Sequence, residues 1–277
     1  MSPILTRTSG VTVFATAMER QRRSGSAPGK YEDATNFWDF GDGNSYDDQI
    51  GSLDFTLNTS EMDLDNDTVG GPPGWTSAGY IANGTDDGTD HFRTTDDNIP
   101  DWSGKFTFEM CFYITYDPTG SQGMPWCVGN ATDQSIYSWQ MNWYGASATL
   151  RGDTAGQAPG VGNGFGARIG EVSAGTGLIS QNEWTVFRMD FNGTNFAIES
   201  WEKDGSTWSQ QGSTSTFSWN PQNPGTSPSN SVNGTLMLDG GQLNEWSAYS
   251  NGNIYIAWVG NWEGKSRRGE TPITARE

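Results

Sequence analysis

Carboxylates that alternate along a chain could do glycosidic chemistry. In a strand, two-residue spacing puts side chains on one face, where a nucleophile and an acid about 5–5.5 Å apart can flank a sugar linkage. Glu61-Met-Asp63-Leu-Asp65 is the one stretch in which at least three carboxylates alternate. It runs straight into Asn66-Asp67 and a Gly/Pro-rich segment, and no aromatic strand surrounds it to line a sugar cleft. It therefore reads as an acidic loop rather than a catalytic strand. The chain has one histidine, His91. Multi-histidine metal sites are thereby excluded, and a Ser-His-Asp triad is disfavoured. Gly260 to Lys265-Ser266 falls one residue short of a phosphate-binding loop, and Gly162, Gly164 and Gly166 lack a strand-to-helix setting.

Calcium fits the composition better, since it takes six to eight oxygens from carboxylates and carbonyls. Asp86, Asp87 and Asp90 form one cluster of such donors, Asp96, Asp97 and Asp101 a second, and Asp42, Asp47 and Asp48 a third. The expected calcium ligands are Asp86, Asp87, Asp90, Asp96 and Asp97. Thirteen tryptophans offer flat apolar faces for stacking on sugars or filling a core. Trp139 and Trp143 lie on an apolar strand face and are assigned to the core. Trp75, Trp126, Trp208, Trp219 and Trp246 fall in loops or at strand ends, and are the expected carbohydrate contacts. Cys111 and Cys127 fit either one disulfide or a reduced buried pair.

The elements that must position these groups are short strands. Phe106, Phe108, Met110, Phe112, Ile114 and Tyr116 alternate with Thr107, Glu109 and Cys111, so one face should be buried against a second sheet. Tyr137, Trp139, Met141 and Trp143 repeat the pattern, and Leu53, Phe55 and Leu57 give a shorter version. Trp184 to Phe191 enters Asn192-Gly193, a strong hairpin signal, and returns as Thr194 to Trp201. Asp204-Gly205 offers another turn. Leu236 to Leu238 and Ile254 to Val259 supply the last strands, the latter apolar on both faces and so expected at the centre of a sheet. Gly70 to Asp101, Gly152 to Gly177 and Trp219 to Asn233 read as long loops. No amphipathic helix stands out beyond residue 30.

Charge divides the chain. Residues 1–30 hold Arg7, Arg20, Arg22, Arg23 and Lys30 against Glu19, a net +4, which leaves the other 247 residues at −22 within the total of −18. So acidic a body repels nucleic acid. Ser24 to Gly29 reads as a flexible link, and residues 266–277 as a tail. No stretch approaches the ~20 apolar residues of a membrane span. Val11 to Ala17 mimics a signal peptide but is too short and threonine-rich to be one.

Phe37-Trp-Asp-Phe-Gly-Asp-Gly43, Asp47-Asp48 and Gly51 to Leu57 resemble the opening of laminin G-like, concanavalin A-like domains. Phe106 to Met110, Glu183 to Asp190 with its Asn-Gly hairpin, Leu236 to Gly240 and Ile254 to Trp258 are similar to later strands of that family. The resemblance covers residues 35–263 and implies an all-β, two-sheet antiparallel jelly-roll sandwich. It also implies glycan, protein or calcium binding. Glucanases of the superfamily carry Glu-x-Asp-x-(x)-Glu on one strand, and Glu61 to Asp65 lacks the final Glu.

The expected organisation is a basic arm over 1–30, a sandwich over 31–265 and a tail over 266–277. The expected function is non-enzymatic: a virion structural protein, as capsid decoration or tail appendage, displaying a lectin-like domain that adheres to host glycans. Arg7, Arg20, Arg22 and Arg23 would anchor it to other virion subunits within an oligomeric assembly. The alternative is an extracellular carbohydrate-binding module, with a glycoside hydrolase behind it.

Overall fold

A computed structural model describes residues 31–273 except 32, 42–46, 58–61, 67, 82–91, 95–103, 116, 118–122, 131–136, 144–148, 156–167, 177–178, 205–206, 219–233 and 239–253. Every regular element among the described residues is a strand, and every pairing is antiparallel. Numbered in chain order, the first sheet runs β13 (Thr207–Ser218), β12 (Asn195–Asp204), β11 (Trp184–Phe191), β6 (Phe106–Ile114), β15 (Ile254–Glu263), β4 (Ala78–Ile81) and β3 (Met62–Asn66). An eighth strand, β1 (Asn36–Asp39), pairs with the second half of β15. The other sheet has seven strands, in the order β10 (Arg168–Thr176), β9 (Thr149–Ala155), β8 (Tyr137–Trp143), β7 (Gly123–Asn130), β14 (Gly234–Leu238), β5 (Phe92–Thr94) and β2 (Phe55–Leu57).

The two sheets pack face to face. Phe106, Phe108, Met110, Phe112 and Ile114 turn inward from β6 and are fully buried, as the alternation requires. β11 lies beside β6 in continuous register, from Trp184 opposite Tyr113 to Phe191 opposite Phe106. On β1 the Trp38 ring meets Phe55 of the other sheet edge-on at 4.7 Å, and its indole N–H donates to the Leu53 carbonyl at 2.6 Å. At the other margin, β10 packs against β12 and β13. Strand β15 is buried almost throughout and lies between β6 and the pair β4/β1, the central place its two apolar faces demand.

Several expectations are corrected. The stretch Gly70 to Asp101, read as a loop, contains β4 and β5, and Gly152 to Gly177 contains the end of β9 and all of β10. Neither Ala-Gly-Tyr-Ile nor Arg-Ile-Gly-Glu-Val-Ser-Ala-Gly-Thr alternates cleanly; pairing makes them strands, β4 with β3 and the distant β15, and β10 with β9. The acidic stretch around Asp63 and Asp65 is likewise a strand, β3, at the sheet edge. The hairpin after β11 turns at Gly193-Thr194 rather than Asn192-Gly193. Asn192 pairs with Asn195 and its side-chain oxygen accepts from the N–H groups of Thr194 and Asn195. Gly193 takes φ 92° at the first turn position, a conformation open to glycine.

The largest correction concerns residues 266–273. Read as tail, they form a strap across the outer face of the eight-stranded sheet, where Arg267, Pro272 and Ile273 are buried. The alternation places Thr107, Glu109 and Cys111 on that face, away from the second sheet, and assigns it no covering. Instead Glu109, Arg188, Asp190 and Glu199 lie beneath the strap at 0–1% exposure. Arg188 donates to Glu109 and Glu199, each at 2.7 Å, and to the carbonyls of Arg267 (2.7 Å) and Glu270 (2.8 Å). Arg267 returns to Glu109 at 2.8 Å, and Arg268 reaches Asp190 at 3.1 Å. Three guanidiniums thus balance three carboxylates, the condition for burying any of them. Burial works to lower the Arg188 pKa, and the Glu109 and Glu199 carboxylates outweigh it and hold the group above its ordinary value.

Candidate functional site

At the Ile114 end of the sheet the outer face changes character. Outward positions on neighbouring strands line up as a row: Tyr255 opposite Tyr113, Tyr113 opposite Trp184, and Lys203 opposite Trp208. Thr185 faces Glu202, so one step further along the antiparallel pair brings Trp184 to Lys203. The row therefore crosses five strands, from β15 to β13, with aromatic residues on four of them. The Tyr113 ring lies 5.5 Å from Trp184 and stands edge-on to Tyr255 at 5.9 Å. Trp184 and Tyr255 are buried, whereas Tyr113, Lys203 and Trp208 are half-buried.

A cleft of about 370 Å³ opens over this row, lined by Val69, Tyr113, Asn182, Glu183, Trp184 and Lys203. That volume is at the small end of ligand sites. The turn into β11 sets its polar rim. Asn182 holds φ 63°, the one non-glycine among the described residues with positive φ. Its N–H donates to the Ile114 carbonyl at 2.9 Å, and its side-chain oxygen accepts from the Tyr113 hydroxyl at 3.5 Å. Neighbouring Gln181 donates to the Thr115 carbonyl at 2.6 Å. Asparagine tolerates this conformation better than most residues, and strain held in place by surrounding bonds is common at binding sites. Burial, and secondly the Glu183 carboxylate, push the Tyr113 hydroxyl above the ordinary tyrosine range, so it stays a donor near neutral pH. The cleft thus offers an apolar ring surface, an amide, a carboxylate, a phenol and an ammonium.

Only part of the expected site lies among the described residues. Trp75 lies in the interior rather than in an exposed loop: it is 5% exposed, its indole N–H donates to Asp39 at 3.0 Å, and its ring packs against Trp258. Trp208 sits at the start of β13, opposite Lys203 of the cleft, and its indole nitrogen is buried with no hydrogen-bond partner among the described residues. Trp126 lies on β7, opposite Leu238 and Met141, and its side chain is outside the described residues. So are Trp219, Trp246, His91, Asp86, Asp87, Asp90, Asp96 and Asp97, and the arm residues Arg7, Arg20, Arg22 and Arg23. Asp48, placed in the third acidic cluster, is a turn organiser. Its carboxylate accepts from the Asn36 amide and from the N–H groups of Phe37, Ile50, Gly51 and Leu53, between 2.6 and 3.2 Å. Cys111 is a free buried thiol. No group of three or more metal-ligating side chains occurs among the described residues.

The residues that form the cleft were not singled out from the sequence. The available signal was that the supposed polar face of β6 ends in Tyr113 and that of β11 begins with Trp184. Aromatic residues on a face meant for water point to a surface that meets something else.

No family model matches the chain, and no curated relative is similar to it. Solved structures share its fold. The botulinum neurotoxin serotype C1 binding domain aligns at a TM-score of 0.52 with 8% identity, over 84% of this chain and 49% of that one. The binding domain of botulinum neurotoxin DC in complex with SialylT aligns at 0.51 with 9% identity, over 84% and 48%. A structure from the endo-acting O-glycanases that prominent human gut bacteria express to initiate mucin breakdown aligns at 0.50 with 10% identity, over 83% and 98%. The chain spans about half the length of the neurotoxin domains. These likenesses establish an all-β sandwich and no more.

Proposed function

We propose that this chain is a lectin-like module that binds carbohydrate in the cleft over Tyr113 and Trp184 without hydrolysing it. The carrying observation is the cleft itself, where a half-exposed phenol ring backed by a buried indole stands with Asn182, Glu183 and Lys203. Pyranose rings present one apolar face and a belt of hydroxyls, and such a surface answers both. Glu183 is the one carboxylate among the described residues of the lining, whereas glycoside hydrolysis ordinarily uses two flanking the bond. The SialylT complex of a neurotoxin domain with this fold supports the reading by analogy.

The finer reading is display on a virion surface, held by the basic arm against an acidic patch of a capsid or tail subunit. Its support is the charge division of the chain, together with where the arm joins. Thr35 accepts from the Glu263 N–H at 2.9 Å, and Asp33 pairs with Lys265 and accepts from the Trp262 indole. These contacts lie at the Phe106 end of the sheet, and the cleft at the Ile114 end. About 20 Å separates the two along a strand from Thr107 to Tyr113, so a tethered arm would leave the cleft presented outward.

A glycan array followed by calorimetry tests the binding. The wild type should bind at least one glycan and release no new reducing ends. Tyr113→Ala should weaken binding at least about tenfold with its melting temperature little changed. An array with no hits, or an unaffected Tyr113→Ala protein, rejects the assignment. Turnover rejects the non-enzymatic part. Deleting residues 1–30 should abolish virion incorporation yet preserve glycan binding.

A further inference from the structure

We propose that the cleft selects acidic glycans, sugars carrying a carboxylate or a sulfate, and that Lys203 is the residue that selects them. The inference rests on the glycan reading of the cleft and adds the ligand's charge. Lys203 stands on the cleft floor between Trp184 and Trp208 in the aromatic row. Among the described residues no carboxylate forms an ion pair with its ammonium, whereas Lys265, Arg188, Arg267 and Arg268 each have one. In a chain of net charge −18, a half-buried cation that faces a cleft with no carboxylate paired to it among the described residues is the exception.

Depth orders the two charges of the site. Glu183 is exposed at the rim, where water and salt screen it, and Lys203 is half-buried among rings, where its field is less damped. An anionic group would therefore be drawn to the floor, with sugar hydroxyls left to donate to Glu183. The Asn182 side-chain oxygen is already taken by the Tyr113 hydroxyl. Its amide N–H groups are thereby left to the ligand, a second donor set suited to anionic oxygens. Aromatic stacking alone would bind neutral and acidic sugars alike; the ammonium separates them.

The test measures dissociation constants of the full chain for three probes of similar size: a galacturonate trisaccharide, a sulfated galactose trisaccharide and the unsulfated galactose trisaccharide. Acidic probes should bind about tenfold tighter than the neutral one at low salt, and raising the salt should erase much of the gap. The sulfate and carboxylate arms show which anion fits better. Lys203→Gln should bring the acidic probes down to the affinity of the neutral one, and Lys203→Arg should restore the preference. Should Lys203→Gln fail to fold, the salt dependence of the wild type and the behaviour of Lys203→Arg decide the matter. Equal, salt-independent binding of all three probes overturns the proposal and leaves the glycan reading standing. Binding of none overturns both.

Discussion

Replacing Arg188 with methionine keeps most of the side-chain volume and removes the charge that holds the strap to the sheet. Arg188 is 0% exposed. Its loss leaves Glu199 facing only the Thr214 hydroxyl at 2.8 Å and the Gly269 N–H at 3.0 Å, and Glu109 with Arg267 alone. Removing one partner of a buried ion pair costs about 3–5 kcal/mol, because the remaining charge stays desolvated. For a domain of this size each kcal/mol is worth about 2–4 °C, so the melting temperature should fall by about 6–20 °C. Urea unfolding should show the same loss at an unchanged slope. A second substitution separates orphaned charge from lost packing. Arg188→Met with Glu199→Met removes the worse orphan and leaves Glu109 paired with Arg267, so it should recover part of the loss. A single variant within about 1 kcal/mol of wild type, or a double variant lower by the sum of the singles, would refute the claim that this face is sealed by ionic balance.

Four further outcomes follow from individual contacts. Ending the chain at Lys265 should destabilise the sandwich by more than Arg188→Met does, since Asp190 loses its bonds from Ser266, Arg267 and Arg268 together; circular dichroism melts check this. Gly260→Ala would set a methyl 2.5 Å from the buried Trp262 ring and should cost about 1–3 kcal/mol. Burial holds the Cys111 thiol well above its ordinary pKa, outweighing Lys203, which pulls it down. In a Cys127→Ser background, thiol labelling at neutral pH should therefore wait for unfolding. Burial tends to raise the Asp33 pKa, but the bonds from Lys265 and Trp262 prevail and leave it lowered. The stabilisation is then present above the unfolded value of about 3.9 and lost as pH falls through the lowered folded value. An Asp33→Asn variant should trail the wild type by no more than about 1 kcal/mol at pH 7, and the gap should close at acid pH.

The alternation of Phe106 to Ile114, the run from Trp184 to Phe191 and the doubly apolar Ile254 to Val259 were enough to establish an all-β sandwich and its central strands, because a period of two is a local property of the backbone. Trp75 and Trp184 show what that same locality misses. Residue type says a ring is present, and only packing says which way it faces: Trp75 turns into the core, and Trp184 comes to floor a cleft. The strap is not legible in the sequence because Ser266 to Ile273 has no periodicity, and its meaning lies in three carboxylates that stand about 70 to 160 residues earlier in the chain. Lys203, Tyr113 and Asn182 share a cleft for a similar reason. They sit on β12, on β6 and in the turn before β11, brought together by strand register, which depends on pairing between distant segments. What the residues alone could settle was each strand's own two faces; which face is covered, and by what, had to wait for the chain to fold back on itself.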